Sequence, residues 1–154
     1  SKYRVLLSMY IVLLHQMTNQ TDLIVGMPIN MRERNTQEQD VFGYFVNTIP
    51  MRVKFSPEKT FLELVQKVNI LVQEGLAHKE YPVQHVMNQL HTTQEQINPN
   101  LYSTVFNMVK LPACRMKGLE TKVITHQKRV GIFNMVWRMM QTEGNQLQLE
   151  LDYN

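Results

Sequence analysis

Hydrophobic positions in the first part of the chain follow the spacing of a helix and then of a buried strand. Residues 2–18 carry apolar side chains around nearly the whole helical circumference, which predicts a helix that is buried on most sides. Residues 23–29 form a short apolar run with β-branched members, which favours an interior strand. The polar residues 30–40 that follow are typical of a loop.

Residues 45–55 alternate with the period of two that a strand imposes. One face is apolar except for a single amide: Phe45, Asn47, Ile49, Met51, Val53 and Phe55. Leaving the amide of Asn47 unpaired in buried surroundings would cost about 1–3 kcal/mol, so it needs hydrogen-bond partners. Thr48 and Arg52 lie on the opposite face, and Pro50, which lacks a backbone N–H, favours an edge strand or a bulge.

Two helices are predicted next. Thr60 and Glu63 have the spacing of a capping box at the start of a helix over 60–77. The apolar stripe of this helix is Phe61, Leu64, Val65, Val68, Leu71, Val72 and Leu76. Pro82 can occupy the first position of a second helix, since its missing N–H would be unpaired there anyway. The apolar face of the second helix is Val83, Val86, Met87 and Leu90.

The remainder of the chain is mainly of β type. After a polar loop at 91–100, strands are predicted at 101–110, 119–125, 132–141 and 146–153, and the last two would pair through Glu143-Gly-Asn145. In the last strand Leu147, Leu149, Leu151 and Tyr153 alternate with polar residues and are expected to face the core. Met135, Trp137 and Met139 share one face of the preceding strand and are interpreted as core residues. The order of elements predicts an α+β fold in which helices pack on a mixed sheet.

Composition and charge narrow the possible functions. Hydrophobic residues make up 44% of the 154 positions, which suits a globular domain, and the net charge of +3 with a pI of about 9.0 admits a nucleic-acid partner. The basic residues are scattered, however, and no aromatic residues interleave closely with the densest group, which is Lys122, Lys128, Arg129 and Arg138. A mildly basic, solvated surface is therefore favoured over nucleic-acid binding, which a salt-dependent binding assay would test.

Cysteine and histidine give no sign of a metal site. The single Cys114 excludes an internal disulfide and a cysteine-rich zinc site, and suits a reducing cytoplasm. No His-Glu-x-x-His pattern occurs, and Pro82 separates His78 from His85, so one helix is not expected to carry both. The apolar run 3–14 is too short to span a bilayer. Because the first residues are already core-like and no Met precedes them, we expect an excerpt of a longer protein.

Several segments resemble motifs of the condensation domains of nonribosomal peptide synthetases. Residues 42–52, Phe-Gly-Tyr-Phe-Val-Asn-Thr-Ile-Pro-Met-Arg, resemble that family's Gly-x-Phe-Val-Asn-Thr-x-x-x-Arg motif. Residues 22–32 are similar to its Asp-x-x-Val-Gly-Thr-Pro-x-x-Gly-Arg stretch, and residues 77–83 to His-Gln-Asp-Tyr-Pro-Phe-Glu. Residues 98–107 resemble Arg-Asn-Pro-Leu-Phe-x-x-x-Phe, and the ending 149–154 matches a late strand. Four motifs in family order form a fairly specific signal over almost the whole chain.

The chain departs from the family's motifs at several positions: Met27 for Thr, Met31 for Gly, Val83 for Phe and Gln84 for Glu. The Arg-Asp-x-Ser part of a late motif is not recognisable before Asn98. These departures leave the substrate range open. They also leave an alternative, a non-catalytic, degenerate lobe that binds a carrier protein or packs on a neighbouring domain. Epimerisation and heterocyclisation domains share the fold, but Phe-Val-Asn-Thr at 45–48 favours the condensing type.

The resemblance implies a fold like that of chloramphenicol acetyltransferase, in which two lobes form a V around a tunnel. Donor and acceptor carrier proteins send phosphopantetheine arms into the tunnel, and the acceptor amine attacks the donor thioester to form a peptide bond. The family's His-His-x-x-x-Asp-Gly motif belongs to the N-terminal lobe and does not occur in this sequence. Residues 1–154 would therefore be the C-terminal lobe, with no catalytic residue and no cofactor bound directly. As an acyltransferase of secondary metabolism, such as antibiotic biosynthesis, it would be cytoplasmic.

The resemblance also implies roles for individual residues. Arg32 occupies the Gly-Arg position and would pair with the motif aspartate of the other lobe; a solvated loop arginine is the alternative. Asn47 would be a tunnel-facing or loop-ordering amide, or else a buried amide bonded to backbone. The remaining motif positions are interpreted as structural: Gly43, Phe45, Val46, Thr48, Arg52, His78, Tyr81 and Pro82. Among these, His78 suits the C-terminal end of a helix, where the dipole favours a cation.

The expected partners follow from the same resemblance. They are the N-terminal lobe of the same domain, the donor and acceptor carrier proteins, and an adjacent adenylation domain, without nucleic acid or membrane. A lobe separated from its partner would expose the face that the partner covers, so self-association through apolar surface is also expected.

Overall fold

The computed structural model describes residues 1–32, 41–54, 56, 60–91, 101–110, 117–119, 131, 133–141 and 146–154. It contains α1 (Lys2–Thr18), β1 (Asp22–Asn30), β2 (Val46–Lys54), α2 (Phe61–Ala77), α3 (Val83–His91), β3 (Thr104–Lys110), β4 (Met135–Gln141) and β5 (Leu147–Tyr153). The predicted α+β class is confirmed. Most of the predicted loops at 30–40 and 91–100, the strand at 120–125 and the turn at 143–145 lie outside the described residues.

The five strands form one mixed sheet in the order β2-β1-β3-β4-β5. The β1–β2 and β4–β5 pairs are antiparallel, whereas β3 runs parallel to both β1 and β4. The strand at 23–29 is interior, as predicted, and the strand that contains Pro50 lies at an edge, where a missing backbone N–H costs least. The expected pairing of the last two strands is also confirmed.

The helices cover one face of the sheet near β1, β2 and β3. The core lies between the helices and the sheet. It consists mainly of Leu7, Tyr10, Ile11, Leu14, Leu23, Val25, Met27, Met51, Val53, Leu64, Val68, Val72, Phe106 and Met139. Helix α1 also brings aromatic rings together, because Tyr10 lies 5.7 Å from Phe106 and 4.9 Å from Trp137 between ring centroids. The Tyr10 hydroxyl hydrogen-bonds the Thr104 hydroxyl, so this buried phenol is satisfied.

The capping box predicted for α2 is present. The Glu63 backbone N–H donates to Thr60 Oγ1 at 3.3 Å, while Glu63 Oε2 accepts from the Thr60 backbone N–H at 2.8 Å. Pro82 immediately precedes α3, and its carbonyl accepts the His85 N–H at 3.0 Å. His78 is the C-cap residue of α2 and His85 belongs to α3, so the two histidines sit on separate helices as expected.

Helix α1 is less buried than its sequence predicts. Val5, Met9 and Met17 are exposed, although they belong to the apolar set that was expected to be covered on most sides. The helix lies on the surface of the sheet and buries one stripe, Leu7, Ser8, Tyr10, Ile11 and Leu14. In α2 the ends of the predicted stripe, Phe61 and Leu76, are likewise exposed.

The leucines of the last strand point to the predicted face of the sheet, but they are not buried there. Leu147, Leu149 and Leu151 are 41–46% exposed, and Tyr153 is 76% exposed. These residues lie opposite Met135, Trp137 and Met139 in the antiparallel register, so they do point to the face of the sheet that the helices cover. In the part of the chain that the structure describes, however, the helices contact β2 and β3 and do not extend over β5.

Candidate functional site

All the predicted motif residues except Arg52 lie near one corner of the sheet, where β1 ends, β2 begins and the α2–α3 turn at residues 78–82 approaches. We call this corner the motif edge. Ile29 lies opposite Asn47 and Asn30 opposite Val46 in the antiparallel register. The ladder continues beyond β1, since the Met31 N–H donates to the Phe45 carbonyl at 2.8 Å. Two segments that are apart in sequence are therefore fixed side by side.

Asn47 joins this edge to the helices. Its side-chain Nδ2 donates to the carbonyl oxygen of Lys79 at 2.7 Å and to that of Tyr81 at 3.2 Å. Both acceptors belong to the α2–α3 turn, and Asn47 shares the inward face of β2 with Met51 and Val53. The amide is thus paired with backbone, and through this pairing it orders the turn that carries Tyr81 and Pro82.

Arg32 lies at the other side of the motif edge. Its guanidinium carbon is 4.3 Å from the centroid of the Phe45 ring, and Nη2 donates to the Gly43 carbonyl at 3.4 Å. Its backbone N–H donates to Asn30 Oδ1 at 3.0 Å. Stacking on an aromatic face is a favourable environment for a guanidinium. The geometry therefore ties Arg32 to the Phe-Val-Asn-Thr segment of the same chain.

The segment before β2 is strongly exposed. Phe42 and Tyr44 are almost fully accessible, and Val46 at the start of the strand is half-exposed. A Cβ placed on Gly43 would lie 3.1 Å from the ring of Phe45, so a side chain there would press on the ring that Arg32 covers. The motif edge therefore exposes the aromatic side chains of Phe42 and Tyr44, and the backbone segment that carries them is held in place beside the sheet.

Thr48 points to the sheet face opposite the helices. Its hydroxyl faces the phenol of Tyr102, the residue two positions before β3 begins. Burial raises the pKa of Tyr102 above the usual tyrosine range, and the polar Thr48 hydroxyl lowers it. Thr48 thus lies beside a third motif segment, whose described residues are 101–107.

Arg52 lies at the far end of β2 and does not belong to the motif edge. It forms a bidentate ion pair with Asp22, with Nε–Oδ1 and Nη2–Oδ2 distances of 2.8 and 2.7 Å. Lys54 Nζ lies 3.4 Å from the same carboxylate. Hydrogen bonding from Arg52 lowers the pKa of Asp22 to about 2. Arg52 therefore fastens β2 to β1 at the surface, in agreement with its structural interpretation.

His78, Tyr81 and Pro82 build the turn that Asn47 holds. The His78 backbone N–H donates to the Gly75 carbonyl at 3.2 Å, which ends α2, and the Tyr81 N–H donates to the His78 carbonyl at 3.0 Å. The ring of Tyr81 meets that of His85 edge-on at 6.1 Å between centroids. The helix-end and turn positions expected for these residues are the ones they occupy.

An open groove of about 820 Å³ lies at the end of β2 that is remote from the motif edge. It separates the last turn of α1 from the first turn of α2 and is lined in part by Val12, His15, Lys54, Leu64 and Lys67. The ammonium group of Lys67 is already engaged, because it donates to the Lys54 carbonyl. None of the motif residues lines this groove.

Within the described residues no group of three or more His, Cys, Asp or Glu side chains is placed to hold a metal ion. The perturbed groups that the structure does contain are explained by packing or by ion pairs: burial raises the pKa of Tyr3 and of Tyr10, and hydrogen bonding to Glu150 raises that of Arg138. The arrangement at the motif edge can position a chain, a ring or a charge.

Tyr102, Phe133 and Gly26 are not among the residues that the sequence predicts for the site. Gly26 belongs to a motif, and a Cβ at this position would lie 2.5 Å from Tyr102 Cε2. Tyr102 stacks on Phe133 at 5.5 Å between centroids. The available signal was a glycine inside an interior strand, which marks a close approach of another group to the backbone.

A family model described as Condensation domain matches residues 1–154. The chain belongs to the condensation domain family. Surfactin synthase subunit 2 of Bacillus subtilis (strain 168) is 29% identical over 153 residues, which are 98% of this chain and 4% of that protein. Tyrocidine synthase 3 of Brevibacillus parabrevis is 36% identical over 126 residues, which are 77% of this chain and 2% of that protein. The chain thus spans a few per cent of these relatives.

Solved condensation domains have the same fold. The starter condensation domain of the rhizomide synthetase RzmA, in a double-mutant form, superposes with a TM-score of 0.79 at 21% identity over 99% of this chain and 35% of that one. The condensation domain from the Monacolin K polyketide synthase MokA gives 0.76 at 24% identity over 97% of this chain and 34% of that one. The predicted relation to the condensation fold is confirmed. In the described part of the chain, no helix has both the length and the apolarity needed to cross a membrane.

Proposed function

We propose that residues 1–154 form the C-terminal lobe of a condensation domain in a nonribosomal peptide synthetase. The parent domain would form peptide bonds between carrier-bound aminoacyl or peptidyl thioesters. The observation that carries the proposal is the motif edge, where Arg32, Asn47 and the α2–α3 turn are held together without a reactive side-chain pair. The membership of the chain in the condensation domain family and its similarity to peptide synthetases of Bacillus and Brevibacillus support the same conclusion.

In the proposed reaction the amine nitrogen of the acceptor attacks the carbonyl carbon of the donor thioester. The C–N bond forms, the C–S bond breaks, the amine loses a proton and the donor arm leaves as a thiol. Both reactants arrive on phosphopantetheine arms of carrier proteins, so the arms are part of the substrates. This lobe would supply one wall of the reaction channel between the two lobes. The increase in rate from holding the two reactants in a fixed geometry would come only when both walls are present.

The decisive measurement is turnover by the chain on its own. Purified residues 1–154, mixed with donor and acceptor carrier proteins loaded with their thioesters, should give no amide product by mass spectrometry. The missing group is the His-His-x-x-x-Asp-Gly base or positioning element. The intact parent domain, assayed under the same conditions, serves as the positive control. Product formation by the purified chain would refute the proposal that the catalytic group lies in the other lobe.

Arg32 is proposed to pair with the motif aspartate of the other lobe and so to hold its active-site loop. In the intact parent, Arg32→Glu should reduce condensation strongly, because the pair becomes a like-charge contact. Arg52→Glu is the matched control, since Arg52 already pairs with Asp22 inside this lobe. A parent domain that keeps both activity and stability after Arg32→Glu would exclude the pairing.

A non-catalytic docking lobe is the second candidate. It is favoured by the departures from the family's motifs, Met27, Met31, Val83 and Gln84. Sequencing upstream of Ser1 separates the two candidates. An intact His-His-x-x-x-Asp-Gly motif supports the enzyme, and a corrupted motif supports the docking role.

The proposed partners are the N-terminal lobe, the two carrier proteins and an adjacent adenylation domain, all in the cytoplasm of a cell that makes a secondary metabolite. The isolated chain is also expected to self-associate through exposed apolar surface, such as the leucines of β5. Light scattering on the purified chain measures this directly. A mass equal to that of one chain, 18.2 kDa, would rule out stable self-association.

A further inference from the structure

The arginine at the motif edge lies against the ring of another motif residue. The guanidinium carbon of Arg32 is over the Phe45 ring, 4.3 Å from its centroid. Nη2 of the same guanidinium donates to the Gly43 carbonyl at 3.4 Å. Both contacts come from one short segment, residues 43–45, that immediately precedes β2.

Backbone hydrogen bonds fix this segment and the arginine relative to each other. The Met31 N–H donates to the Phe45 carbonyl at 2.8 Å, which extends the β1–β2 ladder beyond the end of β1. The Arg32 N–H donates to Asn30 Oδ1 at 3.0 Å. Because both backbones are anchored, the freedom that remains is that of the arginine side chain. Ordering such a long side chain costs conformational entropy, and its contact with the ring offsets part of that cost.

Gly43 is explained by the ring and not by its own backbone. Among the glycines that the structure describes, only Gly118 has a positive φ, at 80°. A Cβ placed on Gly43 would lie 3.1 Å from Phe45 Cε2 and 3.7 Å from Cδ2. The first distance is shorter than the best separation of two carbon atoms, so a side chain at this position would displace the ring. The glycine therefore keeps the space in which the Phe45 ring meets the arginine.

Stacking suits an arginine that has to pair with a carboxylate. The guanidinium is planar and its N–H donors lie in the plane, so a ring that covers the flat face uses none of them. A side chain that is ordered in advance also loses less entropy when it pairs. We infer that Phe45 is a positioning residue, whose ring holds the Arg32 guanidinium in the place from which it pairs with the aspartate of the other lobe. This role in condensation rests on the proposed function, whereas the hold of the ring on the arginine does not.

The test compares two replacements of Phe45 in the full chain by NMR of the arginine side chains. Phe45→Leu keeps an apolar side chain but removes the aromatic face, and Phe45→Tyr retains the face. In the unaltered chain the Arg32 protons over the ring should resonate upfield of ordinary arginine protons. Phe45→Leu should abolish this shift and raise the exchange rate of the Arg32 Nε proton roughly two- to fivefold, as expected for the loss of a cation–π contact near the surface. Phe45→Tyr should keep both signals close to those of the unaltered chain.

Two controls separate this contact from a general change in structure. Tyr44→Leu makes the same kind of replacement at the adjacent position, whose side chain is 86% exposed, and should leave the Arg32 signals unchanged. The Nε proton of Arg52, which is bound to Asp22, should not respond to any of these variants. Urea unfolding of each variant shows whether the chain as a whole has been destabilised.

Gly43→Ala gives a second answer if Phe45→Leu does not fold. Its Cβ displaces the ring, so the Arg32 signals should move in the same direction as in Phe45→Leu, by a smaller amount. The inference is wrong if the Arg32 signals do not move in these variants, or if they change as much in Phe45→Tyr as in Phe45→Leu.

Condensation by the intact parent domain measures what the position of the arginine contributes to the reaction. Phe45→Leu should slow the reaction roughly two- to fivefold. Once Arg32 is replaced by glutamine, Phe45→Leu should have no further effect, because the ring acts only through the arginine. Equal slowing in both backgrounds would overturn the positioning role. An Arg32→Gln parent that condenses at the original rate would contradict the proposed pairing with the other lobe, and the NMR comparison alone would then decide whether the ring holds the arginine.

Discussion

The two edges of the sheet differ in how they meet their surroundings. At the β2 edge, helices α2 and α3 contact the strand, Met51 and Val53 are buried, and Pro50 removes one backbone donor. At the β5 edge, Leu147, Leu149 and Leu151 are half-exposed beyond the reach of the described helices. Both strands alternate apolar and polar residues with the same period, so the alternation alone does not decide which edge is covered.

The comparison also separates two ways in which a strand edge is protected from unwanted pairing. The β2 edge carries Pro50 together with the charged residues Arg52 and Lys54, devices that discourage the addition of another strand. The sequence of β5 has neither proline nor lysine, and its carboxylates Glu150 and Asp152 are engaged by Arg138 at 2.7 and 3.1 Å. The motif edge therefore lies at the β2 edge, which is protected from unwanted strand pairing. The exposed apolar surface lies at the β5 edge.

The largest expected difference between the two edges comes from one substitution made in both places. Leu64→Ala in α2 removes a buried side chain that packs in the core at the β2 edge, and should lower the free energy of unfolding by about 2–5 kcal/mol. Leu149→Ala removes a half-exposed side chain on β5 and should cost less than about 1 kcal/mol. Urea unfolding of both variants measures the difference. Equal losses would mean that β5 is covered after all.

A smaller difference is expected between two asparagines that bridge backbone groups. Asn47→Ala leaves the carbonyls of Lys79 and Tyr81 without their donor and should cost about 1–3 kcal/mol, since this amide is part-buried. Asn154 beside β5 makes three comparable bonds, two to Gly131 and one to Phe133, but it is exposed. Water can replace those bonds, so Asn154→Ala should cost less. The same unfolding assay checks the order, which would be contradicted if Asn154→Ala were the more damaging change.

Sequence patterns were sufficient to predict the local structure and the burial of the strands in the middle of the sheet. The capping box at Thr60, the interior strand at 23–29 and the face of β2 that carries Asn47 all follow from periodicity and from hydrogen-bond chemistry that acts within a few residues. The motif residues were likewise found in sequence, because each segment carries its own spacing.

The contacts between segments could not be read in the same way. Which edge the helices cover depends on the strand order, and the leucines of β5 have the same alternation as the buried positions of β2. The partners of Asn47, two carbonyls more than thirty residues away, and the ring that lies over Gly26 depend on tertiary packing. A glycine or an amide in a strand signals that a partner exists but does not identify it.

The cap of α2 tests how far the covered edge depends on the helix above it. Thr60→Ala removes the hydroxyl that accepts the Glu63 N–H and should cost about 1 kcal/mol, the usual loss for an N-cap threonine. Thr60→Ser retains the hydroxyl and is the matched control. Thermal unfolding of both variants, with helix content followed by circular dichroism, should place the serine variant close to the original chain. A serine variant as damaged as the alanine variant would assign the loss to the methyl group and not to the cap.

The smallest effect is expected from the ion pair that joins β1 to β2 at the surface. The bond from Arg52 holds the pKa of Asp22 at about 2 in the folded chain, against an ordinary value of 3.8. Because the folded-state pKa is lowered, the carboxylate contributes stability that is fully present above pH 3.8 and is lost as the pH falls towards 2. Asp22→Asn should therefore remove a small, pH-dependent part of the stability in that window and change little elsewhere, since exposed ion pairs contribute little. NMR titration of the Asp22 carboxyl carbon measures the pKa directly, and Arg52→Gln should raise it towards 3.8. An Asp22 carboxyl that titrates at its ordinary value in the unaltered chain would leave the helices, and not the ion pair, as the support of this edge.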